Sequence, residues 1–212
     1  RERFDAPIIV ANAAHAHLIE EQLNAIGVTD ATLILEPCAR NTAPAIALAV
    51  RHVLSVMGGD AVMFVLPADH FVRDIKGFQS ALRTATAACA DGSIVTLGIT
   101  PDRPETGYGY IARGNSVGDN VYAVSRFVEK PVLADAEKFL AAGTYAWNAG
   151  IFVFKASAMW DALVKFAPEV AAQALARFEN VKRRMEVRAK VALPTAPGAE
   201  PVTIYDDFAH HP

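Results

Sequence analysis

Four short stretches of the chain hold the side chains able to do chemistry. In Glu36-Pro-Cys-Ala-Arg40-Asn41-Thr42-Ala43-Pro44 a strand ends, one basic and two polar residues follow, and a helix begins. Unpaired N–H groups at such a helix start suit a phosphate or the polar edge of a nucleotide. In Pro67-Ala68-Asp69-His70, Asp69 stands just past the carboxyl end of an apolar strand, the edge where open α/β sheets bind ligands. A lone carboxylate there fits Mg2+, which takes one or two carboxylates and fills its shell with substrate phosphate oxygens. In Pro104-Glu105-Thr106-Gly107-Tyr108-Gly109-Tyr110-Ile111 the glycines let the backbone approach a ligand, and the tyrosines offer faces to a sugar ring. Finally, Glu129-Lys130 supplies a carboxylate for hydroxyls and a compact cation for a phosphate, and Asn148 supplies a donor and an acceptor. Each stretch also has a plain structural reading: a capped helix, an Asp turn, an aromatic loop packed on its own domain, and a solvated Glu–Lys pair. His70 alone reads as a structural hydrogen bonder.

No G-x-G-x-x-G, Walker loop, serine nucleophile elbow or zinc-type Cys/His spacing is present, so the chemistry has to come from these scattered positions. The 212 residues are 52% hydrophobic and 20% charged, a globular composition with room for one core and an appendage. A net charge of −3 gives no reason to expect nucleic acid or an anionic membrane as partner. No apolar run has the length of a membrane span, and no signal peptide precedes the first strand. Cys38 and Cys89 lie in Ala-rich surroundings and read as reduced packing residues of a cytoplasmic protein.

The elements that must position these side chains follow from periodicity. Pro7–Asn12, Ala31–Glu36, Ala61–Leu66, Ser93–Ile99 and Gly150–Phe154 are apolar runs of strand type, and short β segments are expected near Tyr110–Arg113 and Val121–Glu129. Helical spacing covers His17–Ile26, a stretch from an Asn41 or Thr42 cap to about Met57, Phe78–Ala90, Ala134–Ala142, and a helix capped by Ser157 and running to about Phe166, followed by one starting at Pro168. The continuously apolar strands, Ala61–Leu66 above all, predict burial on both faces of a largely parallel sheet. Strands alternating with helices define an α/β fold. The Pro/Gly/Ala stretch Leu193–Pro201 is the only linker-like composition.

In their order, LEPCARNTAPAIALA, VLPADH, GITPDRPETGYGYI, RFVEKP and WNAGIFVF resemble the mannose-1-phosphate guanylyltransferases of the nucleotidyltransferase superfamily, from about Phe4 to about Ala171. The resemblance implies a Rossmann-like nucleotide-diphospho-sugar transferase sheet and formation of GDP-mannose and pyrophosphate from GTP and mannose 1-phosphate. By motif, Asp69 would bind Mg2+, and Arg40, Asn41 and Thr42 would lie along the nucleotide. Gly109 and Tyr110 would flank the sugar, Glu129 and Asn148 would hold it, and Lys130 would meet its phosphate as a catalytic residue beside Asp69. Ala149 stands where the family usually has Ser.

Two departures shape the remaining expectations. The family's G-G-x-G-T-R-x-x-P phosphate loop and its later S-I-D-Y-A-V-M-E motif are absent, so a sheet incomplete at its N-terminus and half a metal site are expected. Two open ladder edges would favour self-association into a homo-oligomer. The tail ARFENVKRRMEV and TIYDDFAHHP resembles the junction of UDP-N-acetylmuramate peptide ligases (the Mur ligase family), where Arg183 or Arg184 and Asp206 or Asp207 would be the ATP-contacting counterparts. The expected organisation is therefore a partial nucleotidyltransferase domain over 1–171 and a ligase-like helix-plus-linker appendage over 172–212. A non-catalytic or partner-dependent sugar-phosphate module is the alternative to an active transferase, and an ATP-dependent ligase is a more remote one.

Overall fold

The structure, a computed structural model, describes residues 4–36, 42–56, 60–183, 186–191 and 202–206, with side chains through residue 176. The chain forms two compact units, one from residues 1–58 with 160–212 and one from 59–159.

In the first unit, β1 (Ile8–Asn12) and β2 (Thr32–Glu36) pair in parallel, Ile8 opposite Thr32 through Asn12 opposite Glu36. The crossover between them is α1 (Ala16–Ala25), entered by a turn in which the Asn12 side chain accepts the Ala14 N–H at 2.9 Å. The next helix, α2 (Thr42–Val56), is apolar nearly all round, and Ile46, Ala47, Leu48, Ala49, Val50 and Val53 are buried as that pattern requires.

The second unit is one sheet laid along a single long strand. Its members are β3 (Val62–Val65), β4 (Val95–Ile99), β5 (Tyr110–Gly118), β6 (Val121–Val128) and β7 (Tyr145–Lys155). Along one edge of β7 runs β4; along the other, β3 pairs with its second half and β5 with its first. The hairpin partner of β5 is β6. Helix α3 (Ile75–Ala88), capped by Asp74 accepting the Gly77 N–H at 2.9 Å, packs Leu82, Ala85 and Cys89 against Val153. Helix α4 (Leu133–Ala142) ends at Gly143 in the left-handed conformation. The chain leaves the unit through α5 (Ala156–Phe166) and continues in α6 (Pro168–Arg183), β8 (Glu186–Val191) and β9 (Val202–Asp206), an antiparallel pair.

The α/β class is as expected, but the largely parallel sheet is not. Every described pairing in the second unit is antiparallel, and only β1 with β2 is parallel. Unbroken apolar runs are commonest in parallel sheets, but here two of them, β3 and β4, flank the same antiparallel neighbour, β7. Val62–Val65 is half-buried, since among the described residues β3 pairs with β7 alone. The strand expected to begin at Gly150 begins at Tyr145. Ser157 does not cap α5: its N–H and hydroxyl both donate to the Asp60 carboxylate, at 3.0 and 2.7 Å. Those bonds hold the Asp60 carboxyl below its ordinary range.

Cys89 is a buried free thiol, pushed up by desolvation, and Cys38 lies outside the described residues. Residues 171 and 172 fall inside α6, which runs through them as one helix. Of the residues expected to be ligase counterparts, Arg183 and Asp206 end α6 and β9, while Arg184 and Asp207 lie outside the described residues.

Candidate sugar-phosphate site

Three of the expected site residues converge where β5 begins. Tyr110 pairs with Val128 on one side and Trp147 on the other, so the neighbouring positions 109, 129 and 148 come together. The Asn148 N–H donates to the Gly109 carbonyl at 2.8 Å. A methyl group added to Gly109 would lie 2.8 Å from Glu129 Oε2 and 3.6 Å from Asn148 Cβ. A side chain at 109 would have to displace the tip of the Glu129 side chain, whereas Asn148 would stay in ordinary contact. Gly109→Ala should leave the melting temperature nearly unchanged, because the clashing atom ends a mobile, exposed side chain. The displaced Glu129 carboxylate should weaken calorimetric binding of mannose 1-phosphate, the substrate that the resemblance implies, about 10-fold, equivalent to one charge-assisted hydrogen bond.

Lys130 follows at the end of β6 with a backbone φ of 42°, a left-handed conformation unusual for a residue with a Cβ. Pro131, buried, comes next. The Lys130 ammonium stands 4.0 Å from Glu129 Oε1, and both side chains are exposed. Cation and carboxylate thus sit side by side on the rim, available to a ligand's phosphate and hydroxyls.

Tyr110 has a different part from the one expected. It is fully buried against Ala136 and Phe139, and its hydroxyl donates to the Glu105 carbonyl at 2.9 Å. Its side chain presents no surface to a sugar and instead holds the loop 101–109 onto the sheet. That loop is fastened twice more. Arg103 stacks its guanidinium over Trp147 at 5.2 Å, and Tyr108 meets the same ring edge-on at 5.3 Å.

The Glu105 carboxylate accepts the Gly107 N–H at 3.0 Å and lies 3.5 Å from Arg103 Nε, so it is held below the ordinary glutamate value of 4.5. A depressed carboxyl contributes stability above its unfolded value and loses it as pH falls through the folded one. Trp147 fluorescence should therefore hold steady from neutral pH down to about 4.5 and change below it as the loop loosens. Glu105→Gln, which keeps an acceptor for Gly107 and removes the titration, should lack that acid step.

Asp69 lies in the exposed turn after β3. Pro67, two residues earlier, sits 3.5 Å from where a Cβ on Gly150 would be, so the end of β3 and the Asn148–Gly150 segment share one edge of the sheet. Among the described residues no group of three His, Cys, Asp or Glu side chains could hold a metal ion. A single open carboxylate still fits Mg2+ that draws its other oxygens from phosphates and water. Thr42 begins α2 in the other unit and is exposed, whereas Arg40 and Asn41 lie outside the described residues. His70 is exposed beside Asp69.

Sequence reasoning missed Thr96. Its hydroxyl lies 3.3 Å from Asn148 Oδ1 and 3.2 Å from the Ile151 carbonyl. The available signal was that Thr96 is the one polar side chain in the apolar run Ile94–Ile99.

A sheet of this topology with glycine, glutamate, lysine and asparagine gathered at one edge belongs to a known class. The Nucleotidyl transferase family matches residues 1–192, and the chain belongs to that family. Among its relatives, the xanthan biosynthesis protein XanB of Xanthomonas campestris pv. campestris is 49% identical over 178 residues, which cover 84% of this chain and 38% of that protein. The mannose-1-phosphate guanylyltransferase of Sinorhizobium fredii is 43% identical over 167 residues, 79% of this chain and 33% of the relative. This chain thus spans little more than a third of the length of these curated relatives. Among solved structures, one titled mannose-1-phosphate geranyltransferase from Thermus thermophilus aligns with a TM-score of 0.73 at 32% identity, over 81% of this chain and 49% of the other. One titled mannose-6-phosphate isomerase from Helicobacter pylori aligns with a TM-score of 0.71 at 33% identity, over 86% and 67%.

Proposed function

We propose that this chain is the sugar-nucleotide-forming part of a mannose-1-phosphate guanylyltransferase, making GDP-mannose and pyrophosphate from GTP and mannose 1-phosphate. The observation that carries this reading is the convergence of Gly109, Glu129 and Asn148 beside Lys130, on a chain akin to proteins of that name. In the reaction a phosphate oxygen of mannose 1-phosphate attacks the α-phosphorus of GTP. A new P–O bond forms, the bond to the β-phosphate's bridging oxygen breaks, and pyrophosphate leaves with the electron pair. No covalent enzyme intermediate is needed, so the protein's work is positioning and charge neutralisation.

Glu129 accepts from sugar hydroxyls, Asn148 fixes the ring, and the Lys130 ammonium holds the attacking phosphate. Arg40, Asn41 and Thr42 are assigned to the nucleotide. Mg2+ held by Asp69 would offset the charge that builds on the triphosphate. The backbone at Gly109 admits the sugar, and Tyr110 serves by supporting the loop beside it. We assign residues 1–171 to this activity and 172–212 to the ligase-like appendage. No helix among the described residues is long and apolar enough to cross a membrane, and a GTP-consuming reaction fits the cytoplasm. Among the described residues β3 pairs with β7 alone, and a strand so placed fits a homo-oligomer.

The test is pyrophosphate release that requires GTP, mannose 1-phosphate and Mg2+ together, with calorimetric titration of each substrate. Binding of mannose 1-phosphate in the absence of turnover would favour the non-catalytic module.

A further inference from the structure

We propose that Thr96 and a bulge in β7 lock the Asn148 side chain with its carbonyl inward, so that Asn148 meets the sugar phosphate with N–H donors alone, beside the Glu129 acceptor. The ligand half of this proposal rests on the functional reading above.

The bulge is visible in the register. Thr96 pairs with Phe152 and Gly98 with Asn148, so two steps along β4 are matched by four along β7. The surplus residues are taken up at Gly150, whose φ of 66° is the left-handed turn that such a bulge uses. Without the bulge, alternation would carry β7 straight past this edge; with it, the half-buried Asn148 is re-aimed and folded back on its own chain.

The orientation of the amide is decided by chemistry. The Gly150 N–H lies 3.1 Å from Asn148 Oδ1, and a backbone N–H only donates, so the atom facing it is the oxygen. The Thr96 hydroxyl, 3.3 Å from the same Oδ1 and 3.2 Å from the Ile151 carbonyl, shares its one proton between two acceptors on either side of the bulge. Oδ1 thus faces one full donor, the Gly150 N–H, and one shared donor, the Thr96 hydroxyl. Turning the amide over would set Nδ2 against the Gly150 N–H, two donors face to face, and leave that N–H without its acceptor.

What remains for a ligand is the Nδ2 group, which donates twice and accepts nothing. It selects an oxygen with a free lone pair, such as a hexose hydroxyl or a phosphate oxygen, and gives nothing to a position whose hydroxyl is missing. Thr96 is a positioning residue in this scheme: it touches Asn148 and not the ligand.

The experiment is calorimetric titration of the full chain with mannose 1-phosphate and with GTP, for wild type, Thr96→Val, Thr96→Ser and Asn148→Ala, and for the Thr96→Val change made on Asn148→Ala. Thr96→Val should weaken mannose 1-phosphate about 3- to 10-fold, the value of one hydrogen bond, and leave GTP unchanged. Thr96→Ser should restore binding, and Thr96→Val should add nothing once Asn148 is gone. In parallel, the side-chain amide shifts of Asn148 in 15N spectra should be displaced from free-asparagine values in wild type and Thr96→Ser and return toward them in Thr96→Val.

A wild-type chain that binds while Thr96→Val binds equally well, or loses the same factor on the Asn148→Ala background, overturns the proposal and leaves the functional reading standing. A wild-type chain that ignores mannose 1-phosphate, with the amide shifts still displaced, overturns the functional reading and the donor-only recognition by Asn148 with it. Wild-type amide shifts at free-asparagine values overturn the lock itself.

Discussion

Replacing Lys130 with alanine is expected to lower mannose-1-phosphate-dependent pyrophosphate release about 100- to 1000-fold, the usual cost of removing one group aimed at charge in the transition state. The ammonium is held at the rim by its own backbone. A left-handed residue directly before a proline is disfavoured twice, by its Cβ and by the proline ring. Lys130 nonetheless adopts φ 42° between the end of β6 and the buried Pro131. Strain of this kind persists only where the surroundings impose it, and it aims the side chain away from the line of the strand.

The two contributions separate by choice of substitution. Alanine deletes the cation and keeps the strain, whereas glycine deletes the cation and relieves it. Both variants should lose turnover alike, while Lys130→Gly should be more stable than Lys130→Ala by up to about 1 kcal/mol, the relieved strain exceeding glycine's gain of freedom in the unfolded chain. Thermal unfolding checks the stability difference and pyrophosphate release checks the rate. Wild-type turnover in Lys130→Ala would remove this residue from the phosphate.

Asp69→Asn is the second substitution with a large expected effect. Asparagine keeps the shape and loses the charge that a hard cation requires. Turnover at a fixed low Mg2+ concentration should fall about 100-fold or more, and the Mg2+ needed for half-maximal rate should rise by roughly 10-fold or more, the weight of one lost charge contact. The fold should not notice. Asp69 is exposed in a turn and makes no hydrogen bond or ion pair with the described residues, so stability should stay within about 0.5 kcal/mol. A metal titration followed by rate, beside a melting curve, decides it; an unchanged Mg2+ dependence would move the cation elsewhere.

Much of the local structure was legible because it is set by local signals. The run Ile8–Asn12, the helix through Leu18 and Leu23, and the stop at Gly143 each follow from spacing and one breaker residue. What could not be read depends on partners far along the chain. Asp60 takes both donors of Ser157, 97 residues later in the first turn of α5, and nothing in either local sequence announces it. Trp147-Asn148-Ala149-Gly150 contains the residues that usually end strands, yet here they form a bulge inside one.

The site was legible in the same uneven way. Gly109, Glu129 and Asn148 were identified by type and order, and the sheet brings them together. Tyr110 is assigned to the sugar by the family resemblance. Its cross-strand neighbours Val128 and Trp147 instead place it in the core.

The spine position of β7 has a consequence for how the second unit is made on the ribosome. Val62 pairs with Lys155 and Val95 with Val153, so β3 and β4 find their partner only when the last strand of the sheet has emerged. Until then the β5–β6 hairpin is the only strand pairing of this sheet available to the nascent chain. Its apolar segments, Val62–Val65 among them, stay exposed to other chains throughout that wait. Synthesis speed across residues 100–150, and the chaperones that bind extended apolar segments, therefore set how much of this unit reaches its native sheet.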